Sequence, residues 1–235
     1  MGVFKKALRA LADAALALYL LFNIYAEHSG RFIVPVGHKL AFAAGFIALW
    51  TLAVFAFAPP GQDAEARRRR MRRYLLGLFL YYVWILCNML FFDAAFGRAP
   101  RPMRQDFRFY AVDINLEPFK TVRNYLRALE HGRIRGSIVA INLLGNLAAF
   151  APMGFFLPAL CRPMRNVFLF TLGVAAMVCC VEVTQIVTMT GSCDIDDLIL
   201  NTMGALSVWL IVQLPFIRRH AYRAVPPRPK KGKGL

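Results

Sequence analysis

The stretch Asn166–Met189, NVFLFTLGVAAMVCCVEVTQIVTM, decides the fold class. It holds one charged residue, Glu182, and exceeds the roughly 20 apolar residues that one helical crossing of a bilayer requires. Five further runs of this kind flank it, at Ala7–Ala26, Leu40–Ala58, Tyr74–Phe96, Ile138–Leu160 and Leu198–Ile217. Together they explain why 58% of the 235 residues are hydrophobic, where soluble domains hold roughly 45–50%, and why mean hydropathy reaches +0.49. The expected fold is all-α, a polytopic transmembrane bundle of about six helices with no separate soluble domain. The first run has no small-x-small cleavage site and continues into bulky Ile24 and Tyr25, so it is expected to stay as an anchor.

The chain divides accordingly. Residues 1–96 carry three crossings, 97–137 form a long extracytoplasmic loop, 138–217 carry the last three crossings, and 218–235 form a basic tail. A net charge of +16 invites a nucleic-acid reading, but the charge flanks the crossings. With the N-terminus inside, the cytoplasmic segments hold 18 of the 29 basic residues: Lys5, Lys6 and Arg9, the Arg67–Arg73 run, Arg162 and Arg165, and the tail from Arg218 to Lys233. The positive-inside rule then places both termini in the cytoplasm. No nucleic-acid partner is expected; membrane lipids are. The run RRRRMRR at Arg67–Arg73 anchors that topology and suits anionic head groups, at about 1 kcal/mol per basic residue near the surface. The tail, with Pro226, Pro227, Pro229 and KKGKG, is expected to be disordered. Cys87, Cys161, Cys179, Cys180 and Cys193 form no disulfide framework and read as packing residues. Oligomeric state is left open.

In the loop, the aromatic stretch Phe107–Tyr110 precedes Asn115-Leu116-Glu117-Pro118-Phe119. From Thr121 to Glu130, Val122, Tyr125, Leu126 and Leu129 recur at helical spacing opposite Arg123 and Arg127. This predicts a short amphipathic helix that lies in the membrane interface or caps the bundle.

Polar side chains within crossings cost several kcal/mol unless paired or wetted, and they mark candidate sites. Asn23, Asn88, Asp93, Asn142, Asn146, Glu182, Gln185 and Asn201 gather in the outer halves or near the middle of their crossings, predicting a polar vestibule open to the outside. Asn142 and Asn146 are four apart, Glu182 and Gln185 three apart, and Asp197, Asn201 and Gly204 continue the pattern on the last crossing. Gly145, Gly154 and Gly204, with Ala148 and Ala205, would let those helices approach closely. Either these amides only hold the helices together or they line a site.

The acidic stretch Asp194-Ile195-Asp196-Asp197 opens the last crossing, where one carboxylate would cap the helix. Three exceed that need, and close carboxylates raise one another's pKa or recruit a cation. If a metal is held, Glu182, Asp194 and Asp197 are its expected ligands, and their oxygens suit Mg²⁺ or Ca²⁺; the spacing alone requires neither.

Taken in order, Asn115-Leu-x-Pro-Phe119, Asn142-x-x-Gly-Asn146 with Phe150, Pro152, Gly154 and Pro158, Glu182-x-x-Gln185, and Asp194-Ile-Asp-Asp-x-x-x-Asn201-x-x-Gly204 resemble the VanZ-like family across residues 115–210. The resemblance implies a multi-pass protein of the bacterial cytoplasmic (inner) membrane, in a family whose named member is associated with resistance to the glycopeptide teicoplanin. The chain departs from the family's usual pattern at Thr188, Met189 and Thr190, where a basic residue is common, and at Cys193, where an aromatic is common. The resemblance therefore implies no head-group contact at those positions.

Two functional readings follow. In one, an outward-facing polar site of Asn115, Asn142, Asn146, Gln185, Asp196 and Asn201 binds a lipid-linked envelope precursor or an anionic envelope polymer. In the other, the protein is a membrane enzyme: Glu182 acts as general acid or base on a lipid head group while Asp194 and Asp197 hold a metal or a basic group. Secondary transport is disfavoured, because the inner halves offer mainly Asp13, Thr171 and Gln213.

Overall fold

The computed structural model describes residues 3–29, 36–59, 61–92, 114–188, 190–222 and 224–225. Asp93, the aromatic stretch Phe107–Tyr110, Met189 and the proline-rich tail lie outside them. The elements run α1 (Val3–His28), α2 (Val36–Phe55), α3 (Ala64–Phe91), β1 (Ile114–Asn115), α4 (Lys120–Glu130), α5 (Gly136–Ala149), α6 (Met153–Leu160), a 3-10 turn (Arg162–Arg165), α7 (Val167–Val187), β2 (Cys193–Asp194), α8 (Ile195–Val212) and α9 (Pro215–Ala221). Six helical spans are long and apolar enough to cross a membrane, α5 and α6 together making one of them. The chain is therefore a helical membrane protein, nearly all-α, with a single pair of short strands among the described residues.

The boundaries depart from the hydropathy pattern for identifiable reasons. The arginine run is helical: Asp63 accepts the Ala66 N–H at 2.6 Å and caps α3, so that helix begins ten residues before its apolar portion at Tyr74. The fourth crossing breaks at Phe150–Pro152, because proline supplies no N–H and disfavours helical geometry in the residue before it. The last helix starts at Ile195, ahead of the apolar run at Leu198, since Asp194 caps it.

The chain forms two compact units, Met1–Arg98 and Ala99–Leu235. The first is cored by Leu16, Phe46 and Tyr81, with Tyr19, Trp50 and Trp84 packed against them. The Tyr81 hydroxyl donates to the fully buried Asn23 at 3.0 Å, and Lys39 pairs with Glu27 at 2.5 Å in a largely enclosed setting. The second unit wraps α5, α6 and α7 around α8. Gly204 and Gly154 set the spacing: a Cβ on Gly204 would lie 1.7 Å from the Leu147 carbonyl oxygen, and one on Gly154 would lie 2.3 Å from the Ala205 oxygen. Ala205 is fully buried, whereas Gly145 has open space around it and Ala148 is exposed, so those two positions do not serve the close approach. Trp209 stacks on Phe170 and donates its indole N–H to the Met164 carbonyl at 2.9 Å.

Candidate functional site

The loop motif and the acidic motif meet as strands. Ile114 pairs with Cys193 and Asn115 with Asp194 in a parallel bridge of two residues each. Around this bridge each carboxylate of the acidic stretch receives a separate set of donors.

Asp194 caps α8 by accepting the Asp196 N–H at 2.9 Å. The same oxygen accepts the Asn115 amide at 2.9 Å, and its other oxygen accepts the Thr121 hydroxyl at 2.5 Å. Asn115 also donates to Thr121 at 3.2 Å, while its carbonyl accepts the Glu117 N–H at 3.2 Å and forms an Asx-type turn. That turn leads through Pro118 to Phe119, whose φ of 62° is left-handed, the one positive φ of a non-glycine residue among the described residues. Holding a bulky residue there costs of order 1–3 kcal/mol. The conformation aims the Phe119 N–H at Asp196, at 2.5 Å, and the Val122 N–H reaches the other oxygen of Asp196 at 3.0 Å. Asp196, 1% exposed, thus satisfies two N–H groups at the start of α4 from a different helix. Asp197 accepts the Asn146 amide of α5.

The excess of carboxylates over the need of one helix cap therefore has a structural outlet. Asp194 caps α8, Asp196 caps α4, and Asp197 ties α5 to the first turn of α8. Among the described residues no three His, Cys, Asp or Glu side chains converge as metal ligands. Glu182, Asp194 and Asp197, the expected ligands if a metal is held, do not form such a group.

Glu182 and Gln185 lie on one face of α7, 6% and 1% exposed. Glu182 accepts the Asp194 N–H at 3.1 Å, which links α7 to the bridge. Asn201 is 5% exposed; its amide donates to the Asp197 carbonyl at 2.7 Å, and its buried Oδ1 has no partner among the described residues. Asn142 does not join the cluster. It is exposed and donates to the Ile138 carbonyl of its own helix at 2.8 Å.

Two residues enter that the motif reading did not single out as site members. Thr121 joins both strands' polar side chains, and Tyr125 of α4 sits near the carboxylates: burial, then the charges of Asp197 and Asp194, push its phenol up. The spacing that marked Val122 and Tyr125 as one helix face was the available signal for Tyr125. Cys193 beside them is likewise pushed up, first by burial and then by Glu182 and Asp194, so its thiol holds its proton at neutral pH.

Beyond the brace, α4 turns a basic face away from it. Arg123 pairs with Glu117, and Lys120 lies 3.9 Å from the same carboxylate. Arg127, and Arg133 and Arg135 after the helix, are in no ion pair among the described residues. Leu126 and Leu129 on the apolar face are exposed at 45% and 39%.

A family model described as VanZ/LLP1 matches residues 79–217, more than half of the chain. No curated protein and no solved structure matches it.

Proposed function

Since the chain belongs to the VanZ/LLP1 family, we propose that it is a cell-envelope membrane protein whose loop-side polar site binds an anionic, lipid-linked envelope component. On this reading the termini are cytoplasmic and the brace faces outward, as the basic-residue distribution requires. One observation carries the proposal. The acidic motif is spent on fastening α4 over the heads of α5 and α8, and α4 with its following turn presents Arg127, Arg133 and Arg135 without carboxylate partners. Guanidinium groups fixed on an amphipathic helix at the interface suit phosphate or carboxylate groups attached to a lipid. A component held there would alter the access of glycopeptides such as teicoplanin to the cell surface.

A catalytic reading rests on Glu182, a carboxylate enclosed within a crossing. The two separate in one experiment. Purified protein is incubated with lipid-linked envelope precursors, and bound and free species are followed by mass spectrometry. Binding predicts retention of intact precursor, a loss of about fivefold for Arg127→Gln and for Arg133→Gln, and no effect of Glu182→Gln on precursor chemistry. Turnover by the wild type that Glu182→Gln abolishes, with helicity kept, would replace binding by catalysis. Equal retention of neutral and anionic lipids would sink the proposal.

A further inference from the structure

A second site lies in the N-terminal unit, Met1–Arg98. Where α1, α2 and the start of α3 meet, a cavity of about 330 Å³ is lined by Arg9, Arg70 and Arg73, with Asp13, Gln62 and Trp50. Three guanidinium groups face one carboxylate, and that carboxylate lies 3.8 Å from Arg9 with both side chains half exposed. The Nε and Nη1 atoms of Arg70 are enclosed, yet they have no hydrogen-bond partner among the described residues, and neither has the enclosed Oε1 of Gln62. Enclosed guanidinium N–H groups without an acceptor are costly, by about 1–3 kcal/mol or more. The Phe55 ring, 5.7 Å from the Arg70 guanidinium, takes its face and leaves those in-plane donors free.

A second cavity of about 340 Å³ lies further along the same helices, nearly all apolar, between Leu16, Leu20, Phe46, Leu80 and Tyr81. Trp50 lines both. Its ring is pinned by donation to the Tyr74 carbonyl at 2.9 Å and fits only because Gly77 has no Cβ, which would fall 2.4 Å from it. The basic cavity lies beside the helical arginine run, and the apolar one within the membrane-spanning portion. One cavity accepts an anion and hydroxyls; the adjoining one accepts hydrocarbon.

We infer that the N-terminal unit binds one anionic glycerophospholipid, its phosphodiester on Arg70, Arg73 and Arg9, a head-group hydroxyl on Gln62, and an acyl chain in the apolar cavity past Trp50. A free phosphate would use the first cavity and leave the second without purpose. Arg67, Arg68, Arg69 and Arg72 of the same run do not line the cavity, so the site is distinct from general attraction to a negatively charged membrane.

The test is native mass spectrometry of the purified full-length protein exchanged against phosphatidylglycerol, phosphatidylcholine and inorganic phosphate. Phosphatidylglycerol should be retained over phosphatidylcholine, and millimolar phosphate should not displace it. Arg70→Gln should lower retention about fivefold or more, Arg73→Gln about fivefold, and Arg68→Gln less than twofold, with circular dichroism showing helicity unchanged. Should Arg70→Gln fail to fold, Arg73→Gln against Arg68→Gln carries the comparison. Equal retention of the two lipids, or equal loss in Arg68→Gln and Arg73→Gln, overturns the site; displacement by phosphate overturns the lipid and leaves an anion pocket.

Discussion

In residues 1–98, Gly45 and Gly77 make room for rings, whereas in 99–235 Gly154 and Gly204 make room for backbone. A Cβ on Gly45 would meet the Tyr19 hydroxyl at 2.3 Å, and one on Gly77 the Trp50 ring; those on Gly154 and Gly204 would meet the main chain of α8 and α5. The first unit accordingly packs through aromatic faces, Phe46 on Tyr81 at 3.9 Å and nearly parallel, with Trp50 beyond. The second packs helix against helix and spends its polar side chains on holding strands and helix ends together. A ring can swing and a carbonyl cannot. The unit built on backbone contact is thus the one in which helix positions, and any side chains mounted on them, are most narrowly set. It also contains most of the family match.

Substitution of the glycines separates the two units by the size of the loss. Gly204→Ala should cost about 3 kcal/mol or more, the upper end of what overpacking a close interface imposes. A large fall in the thermal midpoint of the detergent-solubilised protein is the readout. Gly45→Ala should cost less, because the Tyr19 hydroxyl is the far end of a side chain that can turn away. Gly145→Ala, with nothing within 4 Å, should be neutral or stabilising by up to about 1 kcal/mol from helix propensity alone. If Gly204→Ala and Gly45→Ala fall together, the distinction between the units fails.

Smaller again is Tyr81→Phe, which keeps the stack on Phe46 but removes the donor to Asn23, a side chain with no exposed surface. A loss of about 1 kcal/mol is expected in the same melting experiment. A loss equal to that of Gly204→Ala would show that the first unit, too, depends on its polar contacts rather than on its rings.

Much of this was legible in the sequence. The crossings announce themselves because each needs about 20 apolar residues, and α4 because four apolar positions share one face; it begins at Lys120, one residue from where the spacing placed it. That one carboxylate of the acidic stretch caps a helix reads from its place before an apolar run; the structure gives that role to Asp194. The second employment of the acidic stretch was not legible. Asp196 caps a helix that begins 76 positions earlier in the chain, and a parallel bridge of two residues per strand leaves no periodicity to read. The surplus of carboxylates was visible, but sequence spacing says nothing of donors arriving from a distant loop. Asn142 misled for a related reason. Four-residue spacing puts it on the face of Asn146, yet its amide is spent on its own helix one turn away. The break at Phe150–Pro152 was hidden because hydropathy does not register the missing N–H of Pro152.

The acidic motif braces the loop helix through Asp196, which accepts the Phe119 and Val122 N–H groups. Hydrogen–deuterium exchange of the full-length protein in nanodiscs, wild type against Asp196→Ala, tests it most directly. In the wild type the Phe119 and Val122 amides should be protected. In the variant they should lose about 1–3 kcal/mol of protection as their acceptor disappears, α4 fraying from its N-terminus while α7 keeps its exchange rates. Unchanged protection at Phe119 and Val122 in Asp196→Ala, or wild-type protection that appears only when Mg²⁺ or Ca²⁺ is added, would rule out the brace.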